Sequence, residues 1–343
     1  MTIYQLKSGH KPKKYRVNNF LSKKDLVDYL KNKGLEIEIL SNLKGGVDSN
    51  VYSAKLKNEN VVIKSTEDRG LTAYTPPFSE IDFFIDRKNH NIDTKILKIL
   101  RRNNVIKVPD IFYFFPNKNV TIMENLEVSG YKLMLNEILD SKFSVGTAKN
   151  LGIGLAKLVL SSNLLKKIKF VKNREDQFFE RGLELRMFYP NTQEYYFELK
   201  NRYENISEYF LWADAHPKNI FVKNEEVAFI DFGGTYFGDV QFLLPNFFGQ
   251  LYVYVNSGYI TKKVFVNYLN TVIKSFEDES QIKIEEDIFC KYFGMELLHR
   301  SCGKWIIFIT SIENKIKNIK FGLEIFDNKI FTIKELIKHI ENN

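Results

Sequence analysis

Asp214 and Asn219 stand five residues apart in a loop broken by Pro217, and Asp231 follows twelve residues later, at the end of the apolar run Val227 to Ile230. A carboxylate at the first position can accept the proton of an attacking hydroxyl. A carboxamide and a second carboxylate downstream can hold the magnesium ions that neutralise a transferring phosphoryl group. The chemistry such a set could do is phosphoryl transfer. Asp-x-x-x-x-Asn and Asp231-Phe-Gly233 are each commonplace alone, and it is their order and separation that give them meaning.

Such residues need elements that bring them together. Ile220-Phe-Val222 and Val227 to Ile230, separated by the polar turn Lys223-Asn-Glu-Glu226, predict a hairpin that sets the two metal ligands side by side.

Upstream, Ser22-Lys-Lys-Asp25 reads as a capping box ahead of the apolar stripe Leu26, Val27, Tyr29 and Leu30, with Gly34 as the stop of a helix. Three strand-like runs follow: Ile37 to Leu43, Val51 to Leu56 and Val61 to Lys64. Between the first two, Gly45 and Gly46, with Ser49 and Asn50 beyond them, form a turn whose backbone could cover phosphates. Lys64 would pair with the phosphate oxygens. Leu71 to Asp82, with Pro76-Pro77, is expected to be irregular. Ile92 to Leu100 reads as a helix whose Asp93 either pairs with Lys64 or caps the helix N-terminus. Val108 to Phe115 and Val120 to Leu126 predict an antiparallel pair ending in a hinge, where the backbone of Glu124 to Leu126 would meet an adenine edge.

From Ala148 the pattern is helical, with Leu151, Leu155, Leu158 and Val159 facing a core. The acidic stretch Asn173 to Glu208 reads as a solvated helical face, or as a rim for a cationic substrate. After Asp231 the chain is apolar to Val255 and lacks Ala-Pro-Glu, which disfavours an exposed, phosphorylated activation loop and so a protein acceptor. Lys262 to Phe276 and Glu285 to Ile312 are expected to be helical. In the second, His299 and Arg300 stand out, because an arginine on an apolar helix needs an anionic or polar partner.

The 343 residues exceed one comfortable core and imply two lobes. The balance of 50 Lys plus Arg against 42 Asp plus Glu gives +8, but the lysines are dispersed, so nucleic acid is not an expected partner. Cys290 and Cys302 lack the spacing of a zinc site or disulfide framework. Met1 to Asn19 is polar and basic, no run reaches the roughly 18 apolar residues of a membrane span, and a cytoplasmic location is expected.

Gly45-Gly46 with Ser49-Asn50, Lys64, Trp212-Ala-Asp-Ala-His-Pro-Lys-Asn219 and Ile230-Asp-Phe232 together resemble the aminoglycoside phosphotransferase and choline kinase superfamily. The resemblance spans about residues 20 to 310 and is most specific over 212 to 231. It implies an α+β, protein-kinase-like fold, with a β-rich nucleotide-binding N-lobe over 1–126 and a mainly helical catalytic and acceptor-binding C-lobe over 127–343. ATP and Mg2+ are the implied cofactors and a small molecule the implied acceptor. Asp214 would be the catalytic base; Asn219 and Asp231 would be the metal ligands; Gly45, Gly46, Ser49, Asn50, Lys64, Glu124 and Leu126 would hold the nucleotide.

Within the superfamily, Asp25 to Leu30, Tyr236 to Gly249 and Glu296 to Gly303 resemble 5-methylthioribose kinase. That branch implies a sugar acceptor, a homodimer, and a substrate role for Arg300, with His299 in its neighbouring arginine position. An aminoglycoside, a choline-like compound or another alcohol is the alternative acceptor. The chain departs from the family at Trp212-Ala213, where His-Gly is usual, and at Phe232-Gly233, where the branch has Pro-Glu. A tryptophan is not expected to reproduce the polar contacts of that histidine, which raises the alternative of a pseudokinase that binds nucleotide without turnover.

Overall fold

The computed structural model describes residues 22–43, 49–66, 87–168, 178, 182, 185–188, 191–302, 307 and 310–342. The glycine pair Gly45-Gly46, the N-terminal segment Met1 to Asn19, the Leu71 to Asp82 stretch, and Glu175, Asp176, Glu180 and Glu184 of the acidic stretch lie outside the described residues.

Helix α1 (Lys23–Lys31) starts where Ser22 Oγ accepts from Asp25 N–H at 3.2 Å and ends before Gly34, whose φ of +78° suits a residue without Cβ. Its buried Leu26 and Leu30 pack on an antiparallel sheet of β1 (Ile37–Leu43), β2 (Ser49–Leu56), β3 (Glu59–Thr66), β4 (Ile111–Phe115) and β5 (Val120–Glu124), in the order β1-β2-β3-β5-β4. β3 is central, so Lys64 lies opposite Val51 on one side and Thr121 on the other. Helix α2 (Arg87–Arg102) crosses between β3 and β4 in sequence. It begins earlier than the apolar spacing predicts and places Asp93 well inside the helix, so the N-cap alternative for Asp93 does not hold.

The rest is mostly helical. A short pair, β6 (Lys132–Leu133) with β8 (Ile220–Lys223), joins β9 (Glu226–Phe229), and β7 (Tyr209–Leu211) pairs with β10 (Tyr236–Gly238). Around them lie α3 (Met134–Leu139), α4 (Ala148–Leu160), α5 (Ser162–Leu165), α6 (Gln193–Asn205), α7 (Leu243–Asn256), α8 (Lys262–Ser280), α9 (Glu286–Cys302), α10 (Ile312–Asp327) and α11 (Ile333–Asn342). The predicted single helical region Glu285 to Ile312 is corrected: α9 spans Glu286–Cys302, Ile307 and Thr310 are not helical, and α10 begins at Ile312.

The apolar stretch after Asp231 becomes α7, in which every residue from Leu243 to Val255 is buried. Pro245 is tolerated there because it lies in the first turn, where no intrahelical donor is lost. On α6, Glu198 accepts from Lys291 Nζ at 2.8 Å and Glu204 pairs with Lys200 at 2.6 Å, so these acids serve ion pairs. Among the described residues no helix is long and apolar enough to cross a membrane.

Candidate active site

The predicted hairpin forms, with Ile220 opposite Phe229 and Lys223 opposite Glu226. Asn224, at φ +55°, makes the turn. One residue beyond the paired strands, Ile230 N–H donates to Asn219 O at 3.0 Å, which brings Asn219 alongside the residue preceding Asp231. The ladder between β7 and β10 closes the other side, so the loops bearing Asp214 and Asp231 emerge together.

Within the Asp214 loop, Asn219 Nδ2 donates to the Asp214 carbonyl and to its Oδ2, both at 3.0 Å. The Asn219 amide oxygen, on the other side of Cγ, is the atom that could ligate a metal. His216 Nδ1 accepts from Lys218 N–H at 3.1 Å, and its Nε2 lies 3.4 Å from Asp214 Oδ1. From below, α7 supports the loop: Asn246 Nδ2 donates to Ala213 O at 3.1 Å and Gln250 Nε2 to Ala215 O at 3.3 Å. Asp214 is thus held by its backbone neighbours while its side chain stays 40% exposed, open to an acceptor.

Lys64 Nζ donates to Asp93 Oδ2 at 2.9 Å and to Asp231 Oδ1 at 3.0 Å, bridging the sheet, α2 and the Asp231 loop. Burial by itself would lower the Lys64 pKa; Asp231 and Asp93 outweigh it and hold the ammonium well above its ordinary range. Asp93 Oδ1 accepts from Phe232 N–H at 2.8 Å. Asp231 sits at φ +60°, a left-handed conformation that costs a residue with a Cβ about 1–2 kcal/mol.

Trp212, where the resemblance has a histidine, makes a polar contact of its own. Its Nε1–H donates to Asp231 O at 2.9 Å, so the ring supplies a polar contact to the Asp231 loop. The ring is fully buried, 5.2 Å from Phe229 and 5.5 Å from Phe232 between centroids.

Of the nucleotide-site expectations, Ser49 and Asn50 open β2, and the buried Ser49 hydroxyl lies 2.8 Å from Thr66 Oγ1. That bond starts a buried relay: Thr66 Oγ1 lies 2.8 Å from His90 Nδ1, His90 Nε2 2.9 Å from Thr121 Oγ1, and Thr121 Oγ1 2.8 Å from Thr94 Oγ1. Burial, reinforced by the Lys64 charge, lowers the His90 pKa to about 3, so the ring is neutral. No motif pointed to His90; its place one turn before Asp93 and Thr94 on α2 was the available signal.

The Glu124 carboxylate accepts from Lys107 Nζ at 2.9 Å and from Ser129 Oγ at 3.0 Å, and Leu126 O accepts from Tyr131 N–H at 3.0 Å, which fixes the hinge backbone. Arg300, buried on α9, donates from Nε to Glu296 Oε1 at 2.6 Å, the anionic partner its setting demands. Lys218, not singled out from the sequence, lies within the fields of both Arg300 and Asp214. Its pKa is lowered by burial and by Arg300, with Asp214 opposing.

Among the described residues no three His, Cys, Asp or Glu side chains form a metal cage. Asn219 and Asp231 nevertheless suit magnesium, which takes one or two protein oxygens and completes its shell with water and phosphate. The Asp231 side chain is 40% exposed and able to reach such an ion.

No protein-family model matches the chain, and no curated protein matches its sequence. Solved structures do match. The choline kinase of Cryptosporidium parvum aligns over 92% of this chain and 99% of its own, with a TM-score of 0.53 and 10% identity. The choline kinase LicA of Streptococcus pneumoniae covers 88% and 98% at 0.52 and 13% identity. The amicoumacin kinase hAmiN, solved with AMP-PNP, Ca2+ and Ami, covers 89% and 94% at 0.53 and 13% identity. The chain therefore has the two-lobe, protein-kinase-like fold of these small-molecule kinases. The likeness is one of fold.

Proposed function

We propose that the chain is an ATP- and magnesium-dependent small-molecule kinase that transfers the γ-phosphoryl group to an acceptor hydroxyl. The observation that carries this reading is the convergence of Lys64 from β3, Asp93 from α2, Asp214 and Asn219 from one loop and Asp231 from another, joined by side-chain and backbone contacts near 3 Å. Asp214, half-exposed and fixed by Asn219, orients the acceptor hydroxyl and takes its proton. Lys64, kept charged by two carboxylates, meets the phosphate oxygens. Gly45 and Gly46, outside the described residues, are the pair the resemblance sets over the phosphates, and the backbone of Glu124 to Leu126 meets the adenine edge. Asn219 Oδ1 and the Asp231 carboxylate hold magnesium, which when bound supplies charge neutralisation at the transferring group.

The acceptor reading is a sugar-like alcohol, 5-methylthioribose being the one favoured by the resemblance around Glu296 to Gly303. The choline and amicoumacin kinases that share the fold make choline-like and antibiotic acceptors the other arms of the test. Arg300 faces the acceptor or the transferred phosphate, with Lys218 beside it. The experiment is ADP release from Mg-ATP across 5-methylthioribose, other sugars, choline, ethanolamine and aminoglycosides. Turnover with one class supports the reading and names the acceptor. Tight Mg-ATP binding with no turnover across this and a wider metabolite screen would support the pseudokinase.

A further inference from the structure

A single peptide group, the one linking Asp231 to Phe232, is held from both sides. Its carbonyl accepts from Trp212 Nε1–H at 2.9 Å, and its N–H donates to Asp93 Oδ1 at 2.8 Å. One grip comes from the residue two before Asp214, the other from α2, and Asp93 uses its second oxygen to bind Lys64. The residue whose carbonyl is gripped, Asp231, has the positive φ of +60°. A backbone in that region persists where its surroundings over-determine it. Trp212 and Phe232 are both fully buried and tilted 33° to each other, so the indole cannot swing away without opening the core.

We propose that Trp212 is the positioning residue of Asp231: its indole N–H and the Asp93 carboxylate form a two-sided clamp that fixes the Asp231 side chain for metal. Nucleotide contacts made without metal are left to Lys64 and the hinge. This inference rests on the reading of Asp231 as a metal ligand. Its consequence is that a tryptophan two residues before Asp214 supplies a working donor to the Asp231 loop and is no mark of a dead site. Because the Asp93 grip and the Lys64 ion pair share one carboxylate, the clamp also ties the phosphate-facing lysine to the metal-facing aspartate.

The test measures binding by titration calorimetry on the full chain, with Mn2+-ADP and, separately, with ADP in EDTA. In Trp212→Phe, which keeps an aromatic ring and removes the donor, the dissociation constant for Mn2+-ADP is expected to rise about three- to tenfold, while that for ADP in EDTA stays within about twofold. In Trp212→His, a ring N–H is returned at similar reach from Cα, and Mn2+-ADP binding is expected within about twofold of wild type. Thermal unfolding of each variant reports whether it is folded. If the Phe variant does not fold, the His variant decides: wild-type-like Mn2+-ADP binding supports the clamp, and loosened binding overturns it. Unchanged Mn2+-ADP binding in a folded Phe variant overturns it, as does an equal loss with and without metal, which marks a merely structural ring. Failure of the wild type to bind Mn2+-ADP more tightly than ADP in EDTA would instead remove the metal role of Asp231, and the clamp with it.

Discussion

Asp214 is the residue on which the chemistry turns. Its carboxylate is aimed by Asn219, and its loop is braced by Asn246 and Gln250 from α7. Asp214→Asn keeps the size and the Asn219 contact while removing the base, so kcat is expected to fall about 10²- to 10⁴-fold, with the ATP dissociation constant unchanged within about twofold. Rapid-quench turnover and equilibrium binding check the two halves separately.

His90, with its lowered pKa, ties the stability of the fold to pH. Above the ordinary value of 6.5 the ring is neutral folded or unfolded. Below it the unfolded chain takes up a proton that the folded chain refuses until about pH 3, so stability falls as pH falls through that window. The contribution is about 1.4 kcal/mol per pH unit once well below 6.5. Denaturant unfolding of His90→Gln should lack that part of the slope; a slope equal to the wild type would contradict it.

That Asp214, Asn219, Asp231 and Lys64 come together was legible because their types and spacing are themselves the signal. The Trp212 contact was not legible because the direction of an indole N–H depends on where the chain folds back. His90 was missed because its hydroxyl partners come from β3 and β5, far apart in the chain.

Elements carry the distances between these residues. The β8–β9 hairpin sets Asn219 by Ile230, and α7 supports the loop it lies under. Strand runs and the hairpin were readable from alternation and turn residues, as Ile37–Leu43 shows by matching its predicted limits. Helix limits were less so: α2 extends beyond its apolar stripe, and the apolar run through α9 conceals where it stops, because a helix buried all round shows no periodicity. Close packing also depends on residues that carry no chemistry. A Cβ on Gly152 of α4 would lie 2.5 Å from the Val272 carbonyl of α8, backbone that cannot step aside. Gly152→Ala is therefore expected to destabilise the protein by about 1–3 kcal/mol, read as a lower denaturation midpoint with an unchanged m-value.

At the scale of the molecule, the sheet and the helical part meet through charge and hydrogen bonds that converge on the site: Lys64 to Asp231, and Asp93 to Phe232 N–H. The two-lobe plan followed from length, the glycine turn and the downstream loop. The terminal helices α10 and α11 did not, since their Lys, Asn and Ile content is that of the chain generally. The same network that joins the lobes would align phosphate, metal and acceptor. The most direct measurement is phosphorus NMR of a reaction containing the protein, Mg-ATP and the best acceptor from the screen, beside the Asp214→Asn variant. A phosphomonoester resonance is expected to grow in step with ADP and to be abolished in the variant over the same interval. ADP appearing with inorganic phosphate alone, or a phosphomonoester formed equally by Asp214→Asn, would contradict it.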